Sequence, residues 1–321
     1  MAITNFPNGI SSFGSPVLGA GFPLMPGTIF YVNPDTGSDT SYDGKSPDTP
    51  FATIAVALAA CTTNKDDVIV LSTNSVHQLT AMLSITINRV HFLGDAFGRM
   101  YGQRARVNYA DGIATTSAFA VQNTGVGNTF TGIKFLNANT DAQVVATFGE
   151  GGEYTVFRNC EFYNSCDLDS NTEAEMVLNG DSAQFFDCTF GSLVDAVSGD
   201  KIRPNILLTR ETITGKVARD VYFHNCRFWK KAGGTTTAFI RATTATDVER
   251  IMEFHDCQFI ANMLGATPAV AISLGASLTD GHIALTGDTC GFDITKLATG
   301  TGVISCLNAK VATATIGLQA T

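Results

Sequence analysis

Residues 157–162 read FRNCEF, and the pattern returns as FFDCTF (185–190), FHNCRF (223–228) and FHDCQF (254–259). Each is Phe, any residue, Asn or Asp, Cys, any residue, Phe. INRVHF (87–92) and FTGIKF (130–135) fit with Val90 and Ile133 in the cysteine slot, and TCGF around Cys290 matches in part. A slot that accepts Cys, Val or Ile asks for a small buried apolar group. Its position runs 90, 133, 160, 188, 226, 257 and 290, at intervals of 43, 27, 28, 38, 31 and 33. That irregular period lies in the range of repeat architectures. In a straight strand the first Phe and the Cys, three residues apart, would face opposite ways. Asn and Asp tolerate left-handed backbone, so a bend before Cys resets the alternation. Both Phe residues and Cys then point inward, with Arg158, Glu161, Thr189, Arg227 and Gln258 facing solvent. Asn159–Cys160, Asp187–Cys188, Asn225–Cys226 and Asp256–Cys257 thus predict a turn-and-core ladder at one corner of a β-solenoid.

Between the hexapeptides lie further strand signals: VIVLS (68–72), SAFAVQN (117–123), QVVATF (143–148), NILLTR (205–210), AFIRAT (238–243) and AVAISL (269–274). Each coil therefore holds two or three short strands, and loops of varied length absorb the unequal intervals. A helix is expected over 51–62, with Ile54, Leu58 and Cys61 along one side and Pro50 at its start. It would cover the first coil.

The segment YVNPDTGSDTSYDGKSPDTPFATIAVALAAC (31–61), followed by a recurring NCxF-type turn, resembles the opening of right-handed parallel β-helix proteins of the pectin-lyase-like superfamily. The resemblance spans about residues 28 to 295 and implies an all-β solenoid with a short N-terminal capping helix. For function it implies little, since lyases, hydrolases, tailspikes and inert structural proteins share the fold. The opening MAITNFPNGISSFGSPV is similar to the start of structural proteins of tailed bacteriophages. Those attach to the head or tail through an N-terminal segment and commonly form trimers.

That N-terminal stretch scatters Ile3, Phe6, Ile10, Phe13, Val17, Leu18 and Phe22 among Pro7, Pro16, Pro23 and Pro26. Pro and Gly recur too often for a helix or a long strand. Residues 1–27 are read as an extended arm whose apolar side chains dock on this chain or on a partner. Residues 28–295 form the β-helix. The small, Ala/Thr/Gly-rich stretch 296–321 supplies a final coil or cap over an otherwise open sheet edge.

The chain of 321 residues carries a net charge of −9, with 45% hydrophobic and 15% charged residues. Global disorder is excluded, and so acidic a balance opposes a phosphate-tracking surface, so no nucleic acid is expected. No apolar run reaches the roughly 20 residues a membrane helix needs. The first basic residue is Lys45, which fits no secretory leader. A reducing compartment and unpaired cysteines follow as expectations.

Several chemistries are readable. Asp167, Asp169, Glu173 and Glu175 could gather calcium, with Lys201 and Arg203 one coil on, but acidic loops are ordinarily solvated faces. Stacking could bring Asp187 near Asp256, or Asp195 near Asp220, as a glycosidase pair. Acidic residues at turns also have a plain structural role. His224, Cys226, His255 and Cys257 repeat a zinc-like spacing, yet inward Cys and corner His should diverge. No GxSxG occurs, and His77, His91 and His282 stand isolated. Trp229 is the single Trp, poor provision for stacking sugars. The sequence therefore assigns no catalytic residue, metal or cofactor. It points to a phage virion protein, a capsid decoration protein held by its arm on the major capsid protein or another virion protein, as a homotrimer. The rival is a tailspike or fibre that binds or cleaves a host surface glycan.

Overall fold

The computed structural model describes residues 27–94, 104–112, 117–139, 141, 143–165, 173–191, 203–209, 213, 215–230, 238–261, 270–292, 294, 296–299 and 302–307, together with the backbone of a short antiparallel pair, Ser11–Ser12 with Ser15–Pro16. The arm residues named above, Ile3 to Phe22, and the tail beyond residue 307 lie outside the described side chains.

Three parallel sheets build the solenoid, one of ten strands and two of eight. The first sheet runs from Ile29–Val32 to Val303–Leu307, the second from Val76–Leu79 to Cys290–Phe292, and the third from Leu83–Ile85 to Lys296–Thr299. Within a coil the chain visits them in turn. Val156–Arg158 lies in the first sheet, Glu161–Asn164 in the second and Ala174–Leu178 in the third, before Gln184–Phe186 returns to the first. Strands that follow one another without hairpins can only stack in parallel, so every coil buries one face against the next.

Register makes the interior a set of columns. Phe92, Phe130, Phe157, Phe185, Phe223 and Phe254 are successive partners in the first sheet. Their rings stack at 4.9, 4.9, 4.8, 4.5 and 4.6 Å between centroids. Phe135, Phe162, Phe190, Phe228 and Phe259 form a second column in the second sheet. The two columns meet edge-on, as Phe157 and Phe162 do at 74°, the arrangement that ring quadrupoles favour by about 0.5–1.5 kcal/mol per pair beyond burial.

Cys160, Cys188, Cys226 and Cys257 sit between those columns, buried and free. Burial pushes the Cys160 and Cys226 thiols well above their ordinary range. The residues before them, Asn159, Asp187, Asn225 and Asp256, have φ of 51, 55, 50 and 54°. A second column of left-handed residues, Tyr154, Ser182, Asp220 and Arg250, marks the corner leading into the first sheet. Its side chains are not a uniform Asn/Asp set, so no sequence motif announces it.

Four sequence expectations are corrected. INRVHF is out of register with the other hexapeptides: Phe92 pairs with Phe130, the first Phe of its motif, and Ala105 rather than Val90 aligns with Ile133. At the far end Cys290 pairs with Gln258, so buried Thr289 stands beside Cys257 and Cys290 is half-exposed. Thr189, expected in solvent, is buried. The helix is also shorter than read, Ile54–Ala60. The Asp39 carboxylate accepts from the amides of Ala52 and Thr53, and the Thr53 hydroxyl accepts from Val56, so the helix cannot start earlier. Ile54, Ala57 and Leu58 are its buried side.

Candidate functional site

The outer face of the first sheet carries two different edges. Along the corner into this sheet, charges of opposite sign alternate across coils. Arg219 bonds Asp181 and approaches Glu249 at 3.9 Å, Arg250 bonds Asp220, and Lys216 bonds Glu153. Hydrogen bonding from Arg219 holds the Asp181 carboxyl below its usual range. These carboxylates are committed to cations.

Along the opposite edge, just before the Asn/Asp turn, rings replace charges. Arg158, Phe186, His224, His255 and Thr286 are successive partners in register. The first four are the variable second positions of the hexapeptides, which the local turn obliges to point outward. The Arg158 guanidinium lies 4.5 Å from the Phe186 ring centre. His224 and His255 stack at 5.5 Å and 14°, and Tyr222 flanks them at 6.1 and 6.5 Å. Burial raises the Tyr222 phenol, assisted by the Glu253 charge. Such a strip can take up the face of a sugar or another flat group and offers imidazole nitrogen beside it.

The residues singled out by sequence are dispersed. Asp187 and Asp256 stand two coils apart, about 9.6 Å at the usual strand spacing, with Asn225 between them donating to Asp187 at 2.6 Å. Asp220 sits in the other corner, bonded to Arg250, and Asp195 lies outside the described residues. Of the calcium set, Asp167, Asp169 and Lys201 lie outside too. Glu175 and Arg203 do come together, at 3.9 Å, but as an ion pair with side chains 6% and 2% exposed. That burial removes both from the outer surface. The zinc-like spacing separates as its alternation implies: Cys226 and Cys257 are in the core, while His224 and His255 are outside. Two histidines read as isolated are not. His91 meets Asp66 at 3.2 Å and Thr129 at 2.8 Å, and His77 meets the Ser72 carbonyl at 2.9 Å.

A polar centre with no sequence signal lies inside the third sheet. Glu150 is fully buried, its Oε1 accepting from the Gly152 amide at 2.7 Å, Thr155 at 3.0 Å and Asn123 at 3.1 Å. Burial pushes its carboxyl up to about 7 despite those donors.

Known structures of this architecture superpose on the chain. Pectate lyase Pel9A does so with a TM-score of 0.58 at 12% identity, over 94% of this chain and 82% of that one. The fold is the pectin-lyase-like, right-handed parallel β-helix. A pectin methylesterase from Aspergillus niger matches at 0.55 and 12% identity, over 89% and 88% of the two chains. A pectin methylesterase in complex with hexasaccharide VII matches at 0.51 and 15%, over 91% and 97%. No family model matches the sequence, and no curated protein does. At such identities the likeness is one of β-helix scaffold, and any function rests on the site itself.

Proposed function

We propose that the chain is a non-catalytic structural protein of a tailed-phage particle, a capsid decoration protein anchored by its N-terminal arm. The observation that carries the non-catalytic part is the fate of the acidic side chains along the corner into the first sheet, and of Asp187. Asp181, Asp220 and Glu153 are neutralised by Arg219, Arg250 and Lys216, and Asp187 is bonded by Asn225. Hydrolysis of a glycosidic bond needs two carboxyl groups facing one substrate across about 5–9.5 Å. A carboxylate tied to a guanidinium is a poor proton donor at neutral pH.

Attachment falls to the arm. Burying Phe6, Phe13, Val17, Leu18 and Phe22 on the shell would contribute about 1.5–3 kcal/mol each before ordering costs. A homotrimer would multiply that grip by avidity. The test is the copy number per purified particle by quantitative mass spectrometry. Hundreds of copies support decoration, and absence from particles overturns it.

The outer column of Arg158, Phe186 and His224, flanked by Tyr222, favours a second reading, a fibre that binds a host surface polysaccharide without cleaving it. A handful of copies in multiples of three, together with glycan binding lost on Phe186→Ala, would establish that reading instead.

A further inference from the structure

We propose that His224, His255 and Asp256 form a zinc site on the outer corner of the solenoid. The candidate ligand atoms of the three side chains lie within 4.8 Å of one another. His255 Nε2 and Asp256 Oδ2 are 3.4 Å apart. Two ligands on a tetrahedral zinc, each about 2.0–2.2 Å from the metal, are separated by about 3.3 Å.

The hydrogen bonds around His255 fix its tautomer. The Thr286 hydroxyl has a single proton and donates it to Glu253 Oε1 at 2.7 Å, because a carboxylate only accepts. The 2.8 Å contact between His255 Nδ1 and Thr286 Oγ1 therefore carries the imidazole's hydrogen. Neutral His255 is left with its lone pair on Nε2, directed to the side where Asp256 lies. Asp256 is held as well, its Oδ1 accepting from the Asp288 amide at 2.7 Å while Oδ2 faces the ring. A lone pair set against a carboxylate repels it unless a positive charge lies between them. A metal ion bound to both supplies that charge. The second imidazole, His224, brings a further nitrogen within 4.8 Å of both. A metal held there takes a donor atom from each of the three side chains.

The chain of Glu253, Thr286 and His255 is the outer arrangement that orients a metal-bound histidine and raises its basicity. Imidazole and carboxylate donors suit zinc, and three protein ligands leave a position open to water or to a group of a bound partner. The net charge of −9 favours cation capture. This inference stands independently of the virion reading.

Titration calorimetry of the untagged full-length chain with zinc chloride at pH 7.5 tests it. One zinc per chain is expected, lost in His255→Ala and in His224→Ala. Both rings are outside the core, and circular dichroism melts without metal verify that the variants fold. Thr286→Val, which keeps all three ligands, is expected to weaken binding by about 10- to 100-fold. Absence of a binding heat, or equal affinity in the double His→Ala variant, overturns the proposal. So does nitrogen NMR showing His255 still an imidazolium at saturating zinc, which would assign the charge to a proton.

Discussion

Asn225 Nδ2 donates to Asp187 Oδ1 at 2.6 Å, joining the turn residues of two consecutive coils. Both hold left-handed φ, 50 and 55°, so the side chains that permit the bend also tie one bend to the next. Asn225→Val places a β-branched residue where it is strained by about 1–3 kcal/mol and removes the tie. Its urea midpoint should fall clearly, and Asn225→Gly, free of the strain, should fall less. An unchanged midpoint in the valine variant would deny the turn its energetic role.

The buried Glu150 makes stability depend on pH. Its carboxyl rises from 4.5 to about 7 in the fold, so the folded chain binds the proton more tightly than the unfolded one. Stability is complete below about pH 4.5 and declines as pH rises to about 7, by roughly 3 kcal/mol from this group. Carboxylates held low by arginine, such as Asp181, lose stability only in stronger acid and do not oppose this window. Urea unfolding at pH 5 and pH 8 should show the wild type weaker at pH 8. In Glu150→Gln that difference should shrink; a difference of the same size would place the pH dependence elsewhere.

Burial predicts thiol reactivity. Under native conditions iodoacetamide should spare Cys160, Cys188, Cys226 and Cys257 and label half-exposed Cys290 ahead of these four. In denaturant all five should label without reductant. Peptide mapping that found any of the four core cysteines disulfide-bonded would contradict a ladder of free thiols.

Removal of residues 1–25 tests the arm. The columns of the solenoid begin at Ile29–Val32, so the truncated chain should keep its β-rich dichroism and its cooperative melt. It should no longer join the particles. Retained attachment would shift the binding surface to the solenoid.

The corner motif was legible because a left-handed turn between two inward Phe residues restricts residue type at each place: Asn or Asp for the backbone, small apolar for the slot, Phe for the column. Where restriction is weaker, reading failed. Val90 follows a corner whose left-handed positions hold Arg89, Tyr154, Ser182, Asp220 and Arg250, and an Ile-x-x-Val-x-Phe run there imitates the motif one strand out of register. Thr289 escaped notice because its hydroxyl donates to the Phe254 carbonyl at 3.0 Å and accepts from the Cys257 amide, which lets a polar group fill an apolar slot.

Local sequence thus determined the coil: which residues bend, which point inward, and that coils must stack to bury two Phe per turn. It could not determine which outward residues become neighbours, because that depends on register between strands some 30 residues apart. Only stacking set His224 on His255, placed Asn225 between Asp187 and Asp256, and gave Asp181, Asp220 and Glu153 their arginine and lysine partners. An outward side chain pays no burial penalty for its identity, so nothing in the local pattern constrains it. Its chemistry is decided by what the next coil brings beside it.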